Sequence, residues 1–284
     1  MEKHDILIFS GQSNMQGQCE KLSETEAVDG AVEYRFLSDS FVPLRNPTGE
    51  DITYELKSGE RFGCFHGEGV GWHDVHGLGS ACMGYTSMVP SFVRSYRAEA
   101  GRPVIAVHAA KGGTVISSWL PDAEIYPVLF AKVRGAIAAA KREYGAVGRV
   151  AFIWLQGESD ALCRTPGEVY LERMKILRAA AIRDFEIDTF AVIRNGPFAS
   201  IVSWHHADPQ EALRADQTIQ EAQEQFCREI PDCTMLTRLI TELVREERYL
   251  NPEAEGHLSA LGLETVGSEA GRKLAEYYRG KEAE

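Results

Sequence analysis

Ser13 is the side chain best placed to act as a nucleophile. It follows the apolar run Ile6 to Phe9, which Gly11 ends, so the sequence predicts an interior parallel strand feeding a tight turn, with Ser13 just past its carboxyl edge. Ligands of open α/β sheets gather at that edge, where strands stop and the following helices begin with unpaired N–H groups. Gly112 and Gly113 close a second apolar run, Val104 to Ala109. A glycine pair there lets a backbone N–H face a developing oxyanion with no side chain in the way. Glu158 follows a third run, Arg149 to Leu155, and a Gln156-Gly157 turn, a setting that partly buries a carboxylate and obliges it to find a partner. His257 stands just before a helical stretch, where a histidine taken alone is a cap or packing residue. Nucleophile and oxyanion donors at one sheet edge would serve acyl transfer.

Four strings, in order, give this constellation a family likeness. Gly11-Gln12-Ser13-Asn14-Met15 resembles the nucleophile block of the SGNH hydrolases, in the branch of sialate O-acetylesterases and carbohydrate acetylesterases such as acetylxylan esterases. Lys111-Gly112-Gly113-Thr114 with Ser118-Trp119 resembles the second block, Trp154 to Asp160 the branch's Gln-Gly-Glu version of the third, and His257-Leu258-Ser259 the last. The resemblance spans residues 5 to about 270. It implies a serine esterase that removes O-acetyl groups from carbohydrates such as acetylated xylan, sialic acid or related acetyl sugars. Ser13 would attack the ester and His257 would relay the proton. The Ser13 and Gly113 N–H groups and the Gln156 amide would hold the oxyanion.

One position departs from the family pattern. Relatives usually carry an aspartate three residues before the histidine, and here that position is Ala254. Three carboxylates are candidates for orienting His257: Glu158, favoured because its strand delivers it to the site, Glu255 as the alternative acid, and Glu253. The departure also motivates a second reading, a catalytically silent carbohydrate-binding protein of the same fold; a third, a lipase- or thioesterase-like esterase, is less favoured because no lid-like apolar helix is evident. Substrate contacts are expected from Gln12, Trp119, His66 and His205; Trp119 is either core or a platform for a sugar ring.

Composition narrows the partners. A net charge of -12 argues against nucleic acid or an anionic membrane surface, and a small-molecule or oligosaccharide acetyl ester fits better. No run approaches the length of a membrane span. Cys19, Cys64, Cys82, Cys163, Cys227 and Cys233 form no CxxC pair, which suits free thiols and a cytoplasmic setting, or a secreted one had a leader been removed. Seven of the 26 glycines fall between Gly59 and Gly79, among His66, His73 and His76, as in a long loop at the mouth of a site. With Cys64, Asp74 and Cys82 these histidines match no closed zinc signature, so neither a metal nor another cofactor is expected.

The elements that must position these residues alternate. Strands are predicted at 4–10, 103–109, 149–155, 189–194 and 232–236, with a further short strand at 31–37. Helices are predicted at 87–100, 127–144, 166 to about 185, 209 to about 229 and 259 to about 278, the third opened by a Thr165-Pro166-Gly167-Glu168 capping box with proline at its first position. This implies one domain over 1–284, a three-layer α/β/α sandwich with a five-stranded parallel sheet, flavodoxin-like and SGNH hydrolase-like, with a loop insertion at about 38–86.

Overall fold

The computed structural model describes residues 3–19, 26–49, 86–123, 125–205 and 207–283. Seven strands form one sheet: β1 His4–Gly11, β2 Ala31–Arg35, β3 Ser40–Pro43, β4 Val104–Ala110, β5 Val147–Leu155, β6 Thr189–Ile193 and β7 Cys233–Thr237, in the order β3-β2-β4-β1-β5-β6-β7. All neighbours are parallel except β2 and β3. The five expected strands are its centre and one side, and the expectation of five is corrected by the β2–β3 hairpin. β3 is a half-exposed edge strand without the continuous apolar run that marks an interior one.

Eight α-helices are described: α1 Ser13–Gln16, α2 Val89–Ala100, α3 Tyr126–Tyr144, α4 Glu158–Leu162, α5 Gly167–Phe185, α6 Pro209–Glu229, α7 Ile240–Leu243 and α8 Ala260–Glu282. Because successive strand side chains face opposite ways, the sheet makes two cores. Ile6, Ile8, Ile105 and Val107 join the layer of α3, α5 and α6, whereas Leu7, Phe9, Val104 and Ala106 join that of α2 and α8. Asp208 caps α6 by accepting from the N–H groups of Gln210 and Glu211, at 3.0 and 3.2 Å. The expected capping box on α5 does not form: the helix begins at Gly167, and Thr165 Oγ1 donates instead to Asp160 Oδ1 at 2.9 Å.

Register brings the chemistry together. Gly11, the last residue of β1, pairs with Ala110 at the end of β4 and with Leu155 at the end of β5. Three strands therefore stop at one level and release Ser13, Gly112-Gly113 and Gln156-Gly157-Glu158 side by side. A Cβ on Gly11 would lie 1.9 Å from the Leu155 carbonyl oxygen, so this junction admits only glycine. No described helix is long and apolar enough to cross a membrane.

Candidate active site

Ser13 opens α1, and its Oγ lies 2.8 Å from His257 Nε2. His257 arrives on the 250–259 loop, which is fixed at both ends. The Asn251 N–H donates to the His257 carbonyl at 2.8 Å, and the Ser259 N–H to that of Tyr249 at 2.8 Å. Nδ1 of the ring lies 3.1 Å from the Glu255 backbone carbonyl. A carbonyl only accepts, so Nδ1 carries the proton and Nε2 is left with its lone pair toward the Ser13 hydroxyl. Desolvation lowers the imidazole to about 4, against the raising effect of the Glu255 and Ala254 carbonyls. A neutral imidazole so held can take the serine proton at neutral pH.

Among the described residues no carboxylate orients the ring. Glu158, expected in that role, is buried, and its Oε1 accepts from Asn14 Nδ2 at 3.0 Å. Asn14 Oδ1 in turn accepts from the Leu258 N–H at 3.1 Å, so Glu158 reaches the histidine loop only through Asn14. Burial raises the Glu158 carboxyl above its usual range, and Asp216 and Asp160 add to that; Asn14 opposes it. Glu255 meets His257 through its backbone, while its carboxylate accepts from Ser203 Oγ at 3.0 Å. Glu253 lines the cleft, and its N–H donates to Asn251 Oδ1.

The Gln156 amide is not free to meet an oxyanion. It is buried, and its Nε2 is committed to Gln12 Oε1 at 3.1 Å, the Thr114 carbonyl at 2.9 Å and Asp160 Oδ2 at 2.7 Å. With Asp160, which also accepts from the Ile116 N–H at 2.7 Å, it braces the loop that presents Gly113. Gly113 adopts φ 68°, a left-handed conformation that glycine takes without strain. Gln12 stands at the cleft instead. Its Oε1 also accepts from the Ser159 N–H at 3.1 Å, which fixes its amide plane, and among the described residues its Nε2 has no acceptor.

The pair opens into a cleft of about 700 Å³, lined beyond these residues by Gln18, Val115, Leu162, Phe198 and Trp204. Trp119 is no sugar platform: it is fully buried, edge-on to Trp154 at 5.5 Å, with Nε1 donating to Thr114 Oγ1 at 3.0 Å. His205 is not among the described residues that line the cleft, and its Nδ1 lies 3.3 Å from the Ala199 carbonyl. His66, like the rest of the glycine-rich loop, lies outside the described residues. Sequence reasoning missed Phe198, Trp204 and Asp216. The first two sit in a loop without periodicity, and Asp216 reads as an ordinary helical surface charge. In the fold Asp216 is buried and accepts from the N–H groups of Phe198, Ala199 and Ser200 at 2.9–3.0 Å.

Comparison with known proteins identifies the family. No curated protein matches at a significant level. Among solved structures, a protein from Arabidopsis thaliana is 17% identical with a TM-score of 0.60, over 98% of both chains. NanS is 12% identical with a TM-score of 0.61, over 98% of this chain and 99% of that one. A carbohydrate acetylesterase from Xanthomonas citri is 15% identical with a TM-score of 0.51, over 96% of this chain and 56% of its own. At these identities the likeness is one of fold. The family model described as carbohydrate esterase, sialic acid-specific acetylesterase matches residues 3–273. The chain belongs to that family of carbohydrate esterases and is a carboxylic ester hydrolase.

Proposed function

We propose that this protein is a serine esterase that removes O-acetyl groups from carbohydrates through an acetyl-serine intermediate. One observation carries the reading: Ser13 Oγ and His257 Nε2, from opposite ends of the chain, meet at 2.8 Å on an open cleft with the histidine tautomer fixed for accepting a proton.

In the first step Oγ bonds to the acetyl carbon while its proton passes to Nε2, leaving the former carbonyl oxygen negative. The Ser13 and Gly113 N–H groups, of residues that line the cleft and without acceptors among the described residues, are two donors for that oxygen. Gln12 Nε2 is the third donor, in the role expected of Gln156. Collapse breaks the bond from the acetyl carbon to the sugar oxygen, which leaves with the proton held on Nε2. Water then repeats the sequence on the acetyl-serine, releasing acetate and restoring Ser13. The Glu255 carbonyl keeps Nδ1 protonated throughout, so the machinery is a Ser–His dyad braced by a peptide group.

Ser13→Ala keeps the three donors and should lose hydrolysis of p-nitrophenyl acetate by at least ~10³-fold. Mass spectrometry of the parent enzyme quenched during turnover should find one acetyl group on the peptide holding Ser13. Full turnover by the alanine variant would end the proposal.

A further inference from the structure

Of the three described tryptophans, Trp119 and Trp154 are completely buried, whereas Trp204 is 54% exposed and faces the cleft. A large apolar side chain left in solvent beside a reactive pair points to a ligand. It is also held in place. Phe198, itself buried, meets the Trp204 ring edge-on at 6.2 Å and the His257 ring edge-on at 5.3 Å, and Asp216 clamps the backbone of their loop. The indole is thus fixed relative to the dyad through one intervening ring.

Glu253 and Glu255, both exposed, line the same cleft. Ser203, the neighbour of Trp204, donates to the Glu255 carboxylate at 3.0 Å, which ties Glu255 to the Trp204 loop. Carboxylate oxygens accept several hydrogen bonds, so Glu255 retains capacity for a sugar hydroxyl. Among the described residues lining the cleft there is no lysine or arginine, and the chain as a whole carries a net charge of -12.

We propose that Trp204 and Glu255 form the subsite for the sugar that leaves in the reaction, and that it selects a neutral glycan over one bearing a carboxylate. The apolar face of a pyranose ring rests on the indole, a hydroxyl donates to the Glu255 carboxylate, and a sugar acid would meet a like charge in its place. This rests on the esterase reading for the direction in which the alcohol departs, but binding of the free sugar requires no turnover.

The experiment is titration calorimetry on the full chain with xylotetraose and, separately, N-acetylneuraminic acid. The unmodified protein should bind xylotetraose more tightly, Trp204→Ala should weaken that binding by at least ~10-fold, and Trp204→Phe should recover part of it. Glu255→Gln should narrow the gap between the two sugars. In kinetics, Trp204→Ala should depress kcat/KM for acetylated xylo-oligosaccharides at least ~10-fold more than for p-nitrophenyl acetate. Equal binding by Trp204→Ala, or tighter binding of N-acetylneuraminic acid by the parent, would overturn the subsite. A protein that binds xylotetraose through Trp204 yet cleaves no acetyl ester would overturn the esterase reading and keep the subsite.

Discussion

At the scale of single residues, the unusual member of the site is Ala254, a buried methyl where an aspartate would otherwise stand. Its carbonyl accepts from the His257 N–H at 3.0 Å, so the position lies against the histidine, and with no carboxylate there burial outweighs the raising effect of the Glu255 and Ala254 carbonyls and lowers the ring to about 4. The base is then neutral down to mildly acid pH, and the acid limb of kcat/KM should lie between about 4 and 5, below that of an imidazole paired with a carboxylate. Ala254→Asp stabilises the imidazolium and should move that limb up by ~1–3 pH units with a rise in kcat. A limb that stays where it was would show that the dyad is insulated from position 254. Glu158 carries the opposite expectation. Glu158→Gln keeps an acceptor for Asn14 and should change kcat by less than ~10-fold, whereas Asn14→Ala severs the tie to Leu258 and should cost ~10–100-fold. A loss of ~100-fold or more in the Glu158→Gln enzyme would restore the carboxylate to the acid's role.

Elements explain which of these features could be read in advance. Interior strands announce themselves by continuous apolar runs, so β1, β4 and β5 and the three blocks at their ends were readable, as was the placement of Ser13, Gly113 and His257. The hairpin edge strand was not, because half-exposed residues give no such run. Nor was the fate of Gln156 or Glu158: both are polar residues after a strand, and whether such a group faces a cleft or a neighbour is decided by contacts distant in sequence. The Asp216 clamp on the Phe198–Trp204 loop is of the same kind. The contacts of the glycines in α8 give a prediction at this scale. A Cβ at Gly271 would lie 2.1 Å from the Phe92 backbone oxygen of α2, which cannot swing away as a flexible side chain can. Gly271→Ala should therefore force α2 and α8 apart and cost about 1–3 kcal/mol despite its better helix propensity, seen as a lower denaturation midpoint. Gly280, where an added Cβ would meet nothing within 4 Å, is the control, and Gly280→Ala should be neutral or stabilising.

For the whole molecule, the question is how a site built on a neutral histidine fares in acid, and a second histidine decides part of it. His108, in β4, is fully buried; its Nε2 lies 3.0 Å from the Met15 carbonyl and its Nδ1 2.9 Å from Thr48 Oγ1. The carbonyl fixes the proton on Nε2, so Nδ1 accepts from threonine, and the ring ties the sheet to α1 and to the 46–49 turn. Desolvation lowers it from 6.5 to about 3, with the Lys132 and Arg35 charges adding in the same direction. Since the folded value lies below the unfolded one, the unfolded chain binds the extra proton first. The contribution to stability is complete above about 6.5 and is lost as pH falls toward 3. Glu158 and Asp160, raised by burial, act with the opposite sign, losing their contribution as pH rises, so the total slope does not isolate His108. The difference between the parent and His108→Gln does. From urea unfolding, that difference should be larger at pH 7.5 than at pH 5 by roughly 2 kcal/mol, one proton over about 1.5 pH units below the unfolded value. A difference independent of pH would mean that the ring is already charged in the fold or titrates as it does in water. In that case the neutral imidazole would not be what ties α1 and the 46–49 turn to the sheet.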